Sequence, residues 1–170
     1  MNNPLENHWA LILGASSGFG AATCRELARA GMNIFGVHMD RRSTLGNVEE
    51  LRSQIEECGK QSVFFNINAA STDKRETALD EMADTLKGQN PPTSIRVFLH
   101  SLAFGSLGRF FPTDSSKPIT QDQMKMTLDV MAHSLVYWVQ SLVRRALMEK
   151  ESRIFAMTSS GGHRVWHSYG

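Results

Sequence analysis

Near the start of the chain, Gly14-Ala15-Ser16-Ser17-Gly18-Phe19-Gly20 has the composition of a turn that cradles phosphate. Gly14 permits a tight exit from a strand, Gly18 lets backbone approach a pyrophosphate with no Cβ in the way, and Gly20 lets a following helix pack closely on a sheet. Ser16 and Ser17 add hydroxyl donors, and a helix that begins here turns its free N–H groups and positive dipole end toward the anion. A second group, His38-Met39-Asp40-Arg41-Arg42, offers both signs of charge after an apolar run. A carboxylate at such a place accepts hydrogen bonds from a ribose diol, whereas guanidiniums neutralise a 2′-phosphate through bidentate, charge-assisted bonds. The third group lies in the last loop, where Ser159 and Ser160 precede Tyr169. Hydroxyls and a phenol after a strand can give a proton or a strong hydrogen bond to an oxygen on which negative charge develops.

These groups need strand ends and helix starts to position them, and the hydrophobic pattern supplies both. Residues 8–13 form a short apolar run stopped by Gly14, as expected of a strand buried on both faces. A helix is expected over 21–30, ending at Gly31, then a strand over 33–38 and a helix over 47–58, ending at Gly59. Residues 62–67 read as the third strand, 72–86 as the third helix and 94–99 as the fourth strand. From 120 to about 150, Met124, Leu128, Met131, Leu135, Trp138 and Leu142 recur at three- and four-residue steps, which predicts one long amphipathic helix. A fifth strand follows over 153–157. Strands alternating with helices in this way predict an α/β fold, a Rossmann-like doubly wound parallel sheet with right-handed crossovers and helices on both faces.

Composition narrows the function classes. The 170 residues carry 18 Lys and Arg against 17 Asp and Glu, a net charge of +1, with no basic block beyond Arg41-Arg42 and Arg144-Arg145, so nucleic acid is not an expected partner. No apolar run approaches the length that spans a bilayer and the first residues do not resemble a signal peptide, so no membrane association and a cytoplasmic location are expected. Cys24 and Cys58 are far apart and have no C-x-x-C partner, which argues against a disulfide framework and a zinc cluster. No metal is expected at His100 or His133 either, neither being read as having a carboxylate or thiol at ligand spacing.

The G-x-x-x-G-x-G spacing between strand and helix resembles that of the short-chain dehydrogenase/reductase superfamily, and the resemblance runs from Trp9 to Tyr169. It implies that Gly14, Ser16, Ser17, Gly18, Phe19 and Gly20 contact the pyrophosphate and ribose of a nicotinamide cofactor. Asp40 falls slightly later than the family's acidic position, and Arg41 and Arg42 follow at once, so NADP(H) is the expected preference, with NAD(H) possible. Phe65-Asn66-Ile67-Asn68 matches the stretch in which the family commonly holds the adenine with Asp, and either Asn66 or Asn68 takes that place beside Ile67. After the fourth strand, His100-Ser101-Leu102-Ala103-Phe104 stands where most members have an N-A-G-like turn beside the cofactor ribose. This H-S-[IL]-A-F pattern resembles the bacterial enoyl-acyl-carrier-protein reductases, a divergent branch. Phe110-Phe111-Pro112 and Asp129-Val130-Met131-Ala132-His133-Ser134-Leu135 are similar to the same branch, with His133 where that branch often has Tyr.

In the superfamily the proton donor is a Tyr lowered by a nearby Lys, with a Ser polarising the carbonyl; Tyr169 matches the former, and Ser159 or Ser160 the latter. Gly161-Gly162 and Arg164 are similar to the branch's L-G-G and E-R, but Ser159 stands where the branch usually has a second tyrosine. The implied activity is NAD(P)H-dependent hydride transfer to an enoyl thioester, small or carrier-bound. The alternatives are a ketoreductase acting on a 3-oxoacyl or other carbonyl substrate and a non-catalytic nucleotide sensor. Only Gly170 follows Tyr169, so neither the Y-x-x-x-K nor the Y-x-x-x-x-x-x-K spacing can be completed within the chain. Residues 1–170 are therefore expected to be one dinucleotide-binding domain that is incomplete at its C-terminus and a poor catalyst alone. Tyr137 and Val143 extend the apolar surface of the long helix, and with the family's habit of pairing this helix they imply a homodimer or homotetramer.

Overall fold

Trp9, Ala10, Leu11, Ile12 and Leu13 are all fully buried, because the strand they form is covered on both faces. The computed structural model describes residues 3–113, 115–164 and 166. Strands β1 (Trp9–Leu13), β2 (Asn33–His38), β3 (Ser62–Asn66), β4 (Ile95–His100) and β5 (Met148–Ala156) make one parallel sheet in the order β3-β2-β1-β4-β5. The predicted Rossmann-like α/β sheet is thus what the chain forms. Successive side chains of β1 point to opposite faces. Trp9, Leu11 and Leu13 pack with Leu79, Met82 and Leu86 of α3 (Thr72–Lys87). Ala10 and Ile12 pack on the other side with Cys24 and Ala28 of α1 (Gly18–Arg29) and Leu51 and Ile55 of α2 (Leu45–Glu57). Within the first layer Trp9 stacks on Phe35 with ring centroids 4.0 Å apart.

The long helix predicted over 120–150 forms over 121–144: α4 (Gln121–Leu128), a π-helical turn over Asp129–His133 and α5 (Ser134–Arg144) follow one another without a break, and the helix ends several residues before 150. A capping box between Thr120 and Gln123 starts α4. The exit follows Arg145, where Ala146 turns to φ +53° and the Leu147 amide bonds back to the Leu142 carbonyl. β5 then begins at Met148 rather than at residue 153. Met148 pairs with Ile95 but Arg153 pairs with Val97, so β5 holds extra residues opposite Arg96, and the Ser152 hydroxyl closes this bulge on the Ile95 carbonyl at 2.8 Å. Smaller shifts put the start of α1 at Gly18, inside the glycine turn, and the end of β4 at His100.

Trp138 of α5 is fully buried in the α3-side layer, and its indole N–H donates to the Ala69 carbonyl at 2.9 Å. Along β5, Ile154 and Phe155 are about half exposed, and among the described residues no strand pairs with the outer edge of β5. Among the same residues no helix is long and apolar enough to cross a membrane.

Candidate functional site

The C-terminal ends of the strands meet at a cleft of about 590 Å³. In an open parallel sheet ligands bind outside these ends, where the strand order reverses, here between β1 and β4. The glycine turn supplies Gly14, Ser16, Ser17, Gly18 and Phe19 to the wall. It is fixed at its root because the amides of Gly14 and Ala15 both donate to the Val37 carbonyl, at 2.8 and 3.0 Å. Gly14 has φ +84°, and a Cβ there would meet the Ser101 carbonyl oxygen at 2.4 Å, so this residue type is required by conformation and by space. Gly20 turns away from the cleft, and a Cβ on it would lie 2.0 Å from the Gly14 carbonyl oxygen. Gly20→Ala should therefore destabilise the protein by about 3 kcal/mol, read as a lower denaturant midpoint; an unchanged midpoint would show that the turn can relax.

The residues present fit a pyrophosphate. Gly18 begins α1 with φ +53° and has open space where a Cβ would point. Ser17, at the cap position, makes no side-chain cap bond, and the first turn of α1 holds no acidic residue. The helix start is thus a free anion site in the wall of the cleft.

At the β2 end, Val37, His38 and Met39 line the cleft. Asp40 does not; its carboxylate accepts from the His38 ring Nδ1 at 2.9 Å. Burial alone would raise the Asp40 pKa, but the hydrogen-bonding groups of Ser16, Thr44 and His38 outweigh it and hold the carboxyl below its ordinary value. Asn66 keeps Asp40 in this place: its side-chain oxygen accepts from the Asp40 amide at 2.9 Å, and its NH₂ donates to the Asp40 carbonyl at 3.0 Å. Arg41 and Arg42 are exposed, and their side chains make no ion pair among the described residues.

The structure separates the two asparagines that the sequence left open. Asn66 is spent on the Asp40 backbone, while Asn68 lines the cleft with Ile67 and Ala69. Ser101, Leu102 and Ala103 line it from the β4 end, but His100 lies behind them in the core. Ser159 lines both the cleft and a smaller hollow of about 200 Å³, which it shares with Ser160, Gly161 and Trp166. The Ser159 hydroxyl also accepts from the Gly161 amide at 3.1 Å. Tyr169 lies outside the described residues.

Several wall residues were not singled out from the sequence: Met39, Ala69, Val130, Met131, Met157 and Thr158. Met39, Met157 and Thr158 directly follow strand ends, and the rule that parallel sheets bind ligands there could have found them. Val130 and Met131 arrive through the π-helical turn, for which the sequence gives no sign. The reading of His133 also needs correction. Asp129 stands one helical turn before it and pairs with its ring at 2.9 Å, although no group of three or more His, Cys, Asp or Glu among the described residues could hold a metal.

Comparison with known proteins agrees with this arrangement. Residues 14–170 match the family model described as enoyl-(acyl carrier protein) reductase. A curated relative, the L-xylo-3-hexulose reductase of Hypocrea jecorina, is 32% identical over 146 residues, covering 84% of this chain and 45% of its own length. The chain thus spans about half the length of that relative. Among solved structures, the angucycline C-6 ketoreductase LanV with bound NADP superposes with a TM-score of 0.82 at 18% identity, over 97% of this chain and 60% of LanV. A short-chain dehydrogenase from Burkholderia cenocepacia in complex with NADP gives 0.79 at 20% identity, over 97% of this chain and 60% of that one. At these identities the structures speak for the fold. The extent of the family match carries the assignment: the chain belongs to the family described as enoyl-(acyl carrier protein) reductase, within the short-chain dehydrogenase/reductase superfamily.

Proposed function

We propose that this chain is the cofactor-binding part of an NADP(H)-dependent reductase that adds hydride to an enoyl thioester. The observation that carries the reading is that the glycine turn, the β3 and β4 ends, the π-helical turn and Ser159, all distant in sequence, form one cleft. When bound, the cofactor supplies the hydride. The chain's own residues do the rest. The amides at the start of α1, with Ser16 and Ser17, hold the pyrophosphate. Asn68 would hold the adenine, and Ser101, Leu102 and Ala103 would contact the nicotinamide ribose. Tyr169 gives a proton or a strong hydrogen bond to the substrate oxygen, and Ser159 is better placed than Ser160 to assist, since it is the one that reaches the main cleft.

NADP(H) is favoured over NAD(H) by the ties on Asp40. A carboxylate already engaged with His38 and Ser16 is less able to take a ribose diol, while two uncommitted guanidiniums beside it suit a 2′-phosphate. The NADP named for LanV and the Burkholderia dehydrogenase is in keeping with this choice. Exposed Leu128, Val136 and Val143 on α4 and α5 are in keeping with a homodimer or homotetramer.

A second reading, reduction of a carbonyl, is supported by Ser159 itself, since a serine at this place suits a ketone oxygen, and by the hexulose reductase relative. The two readings separate when the full-length protein is given NADPH with a crotonyl or an acetoacetyl thioester. NADPH oxidation with the crotonyl substrate is the expected result. Turnover with the acetoacetyl thioester alone would move the assignment to a ketoreductase, and tight NADPH binding without turnover of either would favour a nucleotide sensor.

A further inference from the structure

His100 is only 3% exposed, yet it ends the strand that leads directly into the cleft wall. Three strand ends are joined around it. Its carbonyl accepts from the Met157 amide at 2.9 Å, and the amide of the next residue, Ser101, donates to the Leu13 carbonyl at 2.9 Å. Its ring leaves the sheet and meets the hydroxyl of Ser134, which is fully buried, with Nε2 to Oγ at 2.8 Å. Ser134 follows the π-helical turn directly, and its hydroxyl donates back to the Val130 carbonyl at 2.7 Å. With the Ser134 hydroxyl donating to Val130, its oxygen accepts from His100 when the ring carries its hydrogen on Nε2. Burial holds the imidazole pKa below its ordinary value and keeps the ring neutral.

Both elements joined by this pair line the cleft. Leu102 and Ala103 line it from the β4 side, and Val130 and Met131 line it from the π-helical turn. A π-turn is a local irregularity that packing alone fixes poorly, because a regular helix competes with it. We propose that His100 and Ser134 are a positioning pair that holds the Ser101–Ala103 turn and the π-helical turn at one spacing and thereby sets the width of the cleft where the nicotinamide would lie. The inference rests on the NADP(H) reading above.

The test uses the full-length protein and two probes: NADPH, and 2′-phospho-ADP-ribose, which has the phosphates and adenine but no nicotinamide. Ser134→Ala and His100→Leu should each weaken NADPH binding about tenfold and reduce the fluorescence enhancement of the bound nicotinamide. Both should leave 2′-phospho-ADP-ribose affinity unchanged. His100→Gln, which keeps a donor of similar reach, should restore most of the loss. Equal weakening of both probes, or loss of folding in both variants, would make the pair an ordinary core contact and overturn the proposal. Unchanged NADPH binding in folded variants would overturn it too. If the unaltered protein binds neither probe, the NADP(H) reading itself fails, and this inference with it.

Discussion

Tyr169→Phe in the full-length protein is expected to lower kcat about a hundred- to a thousandfold and to leave NADPH affinity nearly intact. Hydride addition puts negative charge on the thioester or carbonyl oxygen, and a hydroxyl donor held in place lowers that barrier without strengthening ground-state binding. The contacts proposed for the cofactor come from the glycine turn and the β3 and β4 ends of the cleft wall, none of which depends on the phenol. Ser159→Ala should cost less, because in the proposed mechanism Tyr169 would still donate to the substrate oxygen. A comparable loss of NADPH binding in Tyr169→Phe would give the tyrosine a structural role on the ribose side, and an unchanged kcat would remove it from the chemistry.

Replacing Arg41 and Arg42 together by alanine should weaken NADPH about ten- to a hundredfold and change NADH little. The size follows from losing one or two charge-assisted contacts to a 2′-phosphate. The selectivity follows from Asp40, which is tied to His38, Ser16 and Asn66 whether or not the arginines are present. Titration of the double variant with both cofactors decides the matter: equal losses would show that the arginines serve the loop rather than the phosphate. Asp40→Asn offers the complementary measurement, because it loosens the tie to His38 while leaving both guanidiniums in place.

Much of this was legible in the sequence, for reasons that can be traced to particular residues. β1, β2 and the second half of β4 are covered on both faces, so their apolar runs stand out against polar turns. The glycine turn is legible because its residue types are forced: at Gly14 by φ and by the Ser101 carbonyl, at Gly20 by the Gly14 carbonyl. The start of β5 was hidden because Glu149, Lys150 and Glu151 occupy a bulge at a sheet edge, where no face demands apolar residues. The long helix was legible from its three- and four-residue hydrophobic spacing, but the π-helical turn at Asp129–His133 within it left no trace, since that spacing runs straight through it. In the site, the choice between Asn66 and Asn68 depended on which one reached the Asp40 backbone, a tertiary fact that spacing cannot carry.

The order of strands in the sheet also bears on how a ribosome delivers this protein. β1 is among the first elements to emerge, yet it belongs at the centre, and its second edge has no partner until Ile95–His100 has been made. By then β2, β3, α1 and α2 are available, so the Ala10 and Ile12 side of the young sheet can already be dry. The Trp9, Leu11 and Phe35 side has α3, which is made before β4, but must wait for Trp138 and Leu142. A nascent chain paused before residue 95 would therefore present a half-covered aromatic face and a bare strand edge together, the combination that chaperones hold and that neighbouring nascent chains would otherwise pair with.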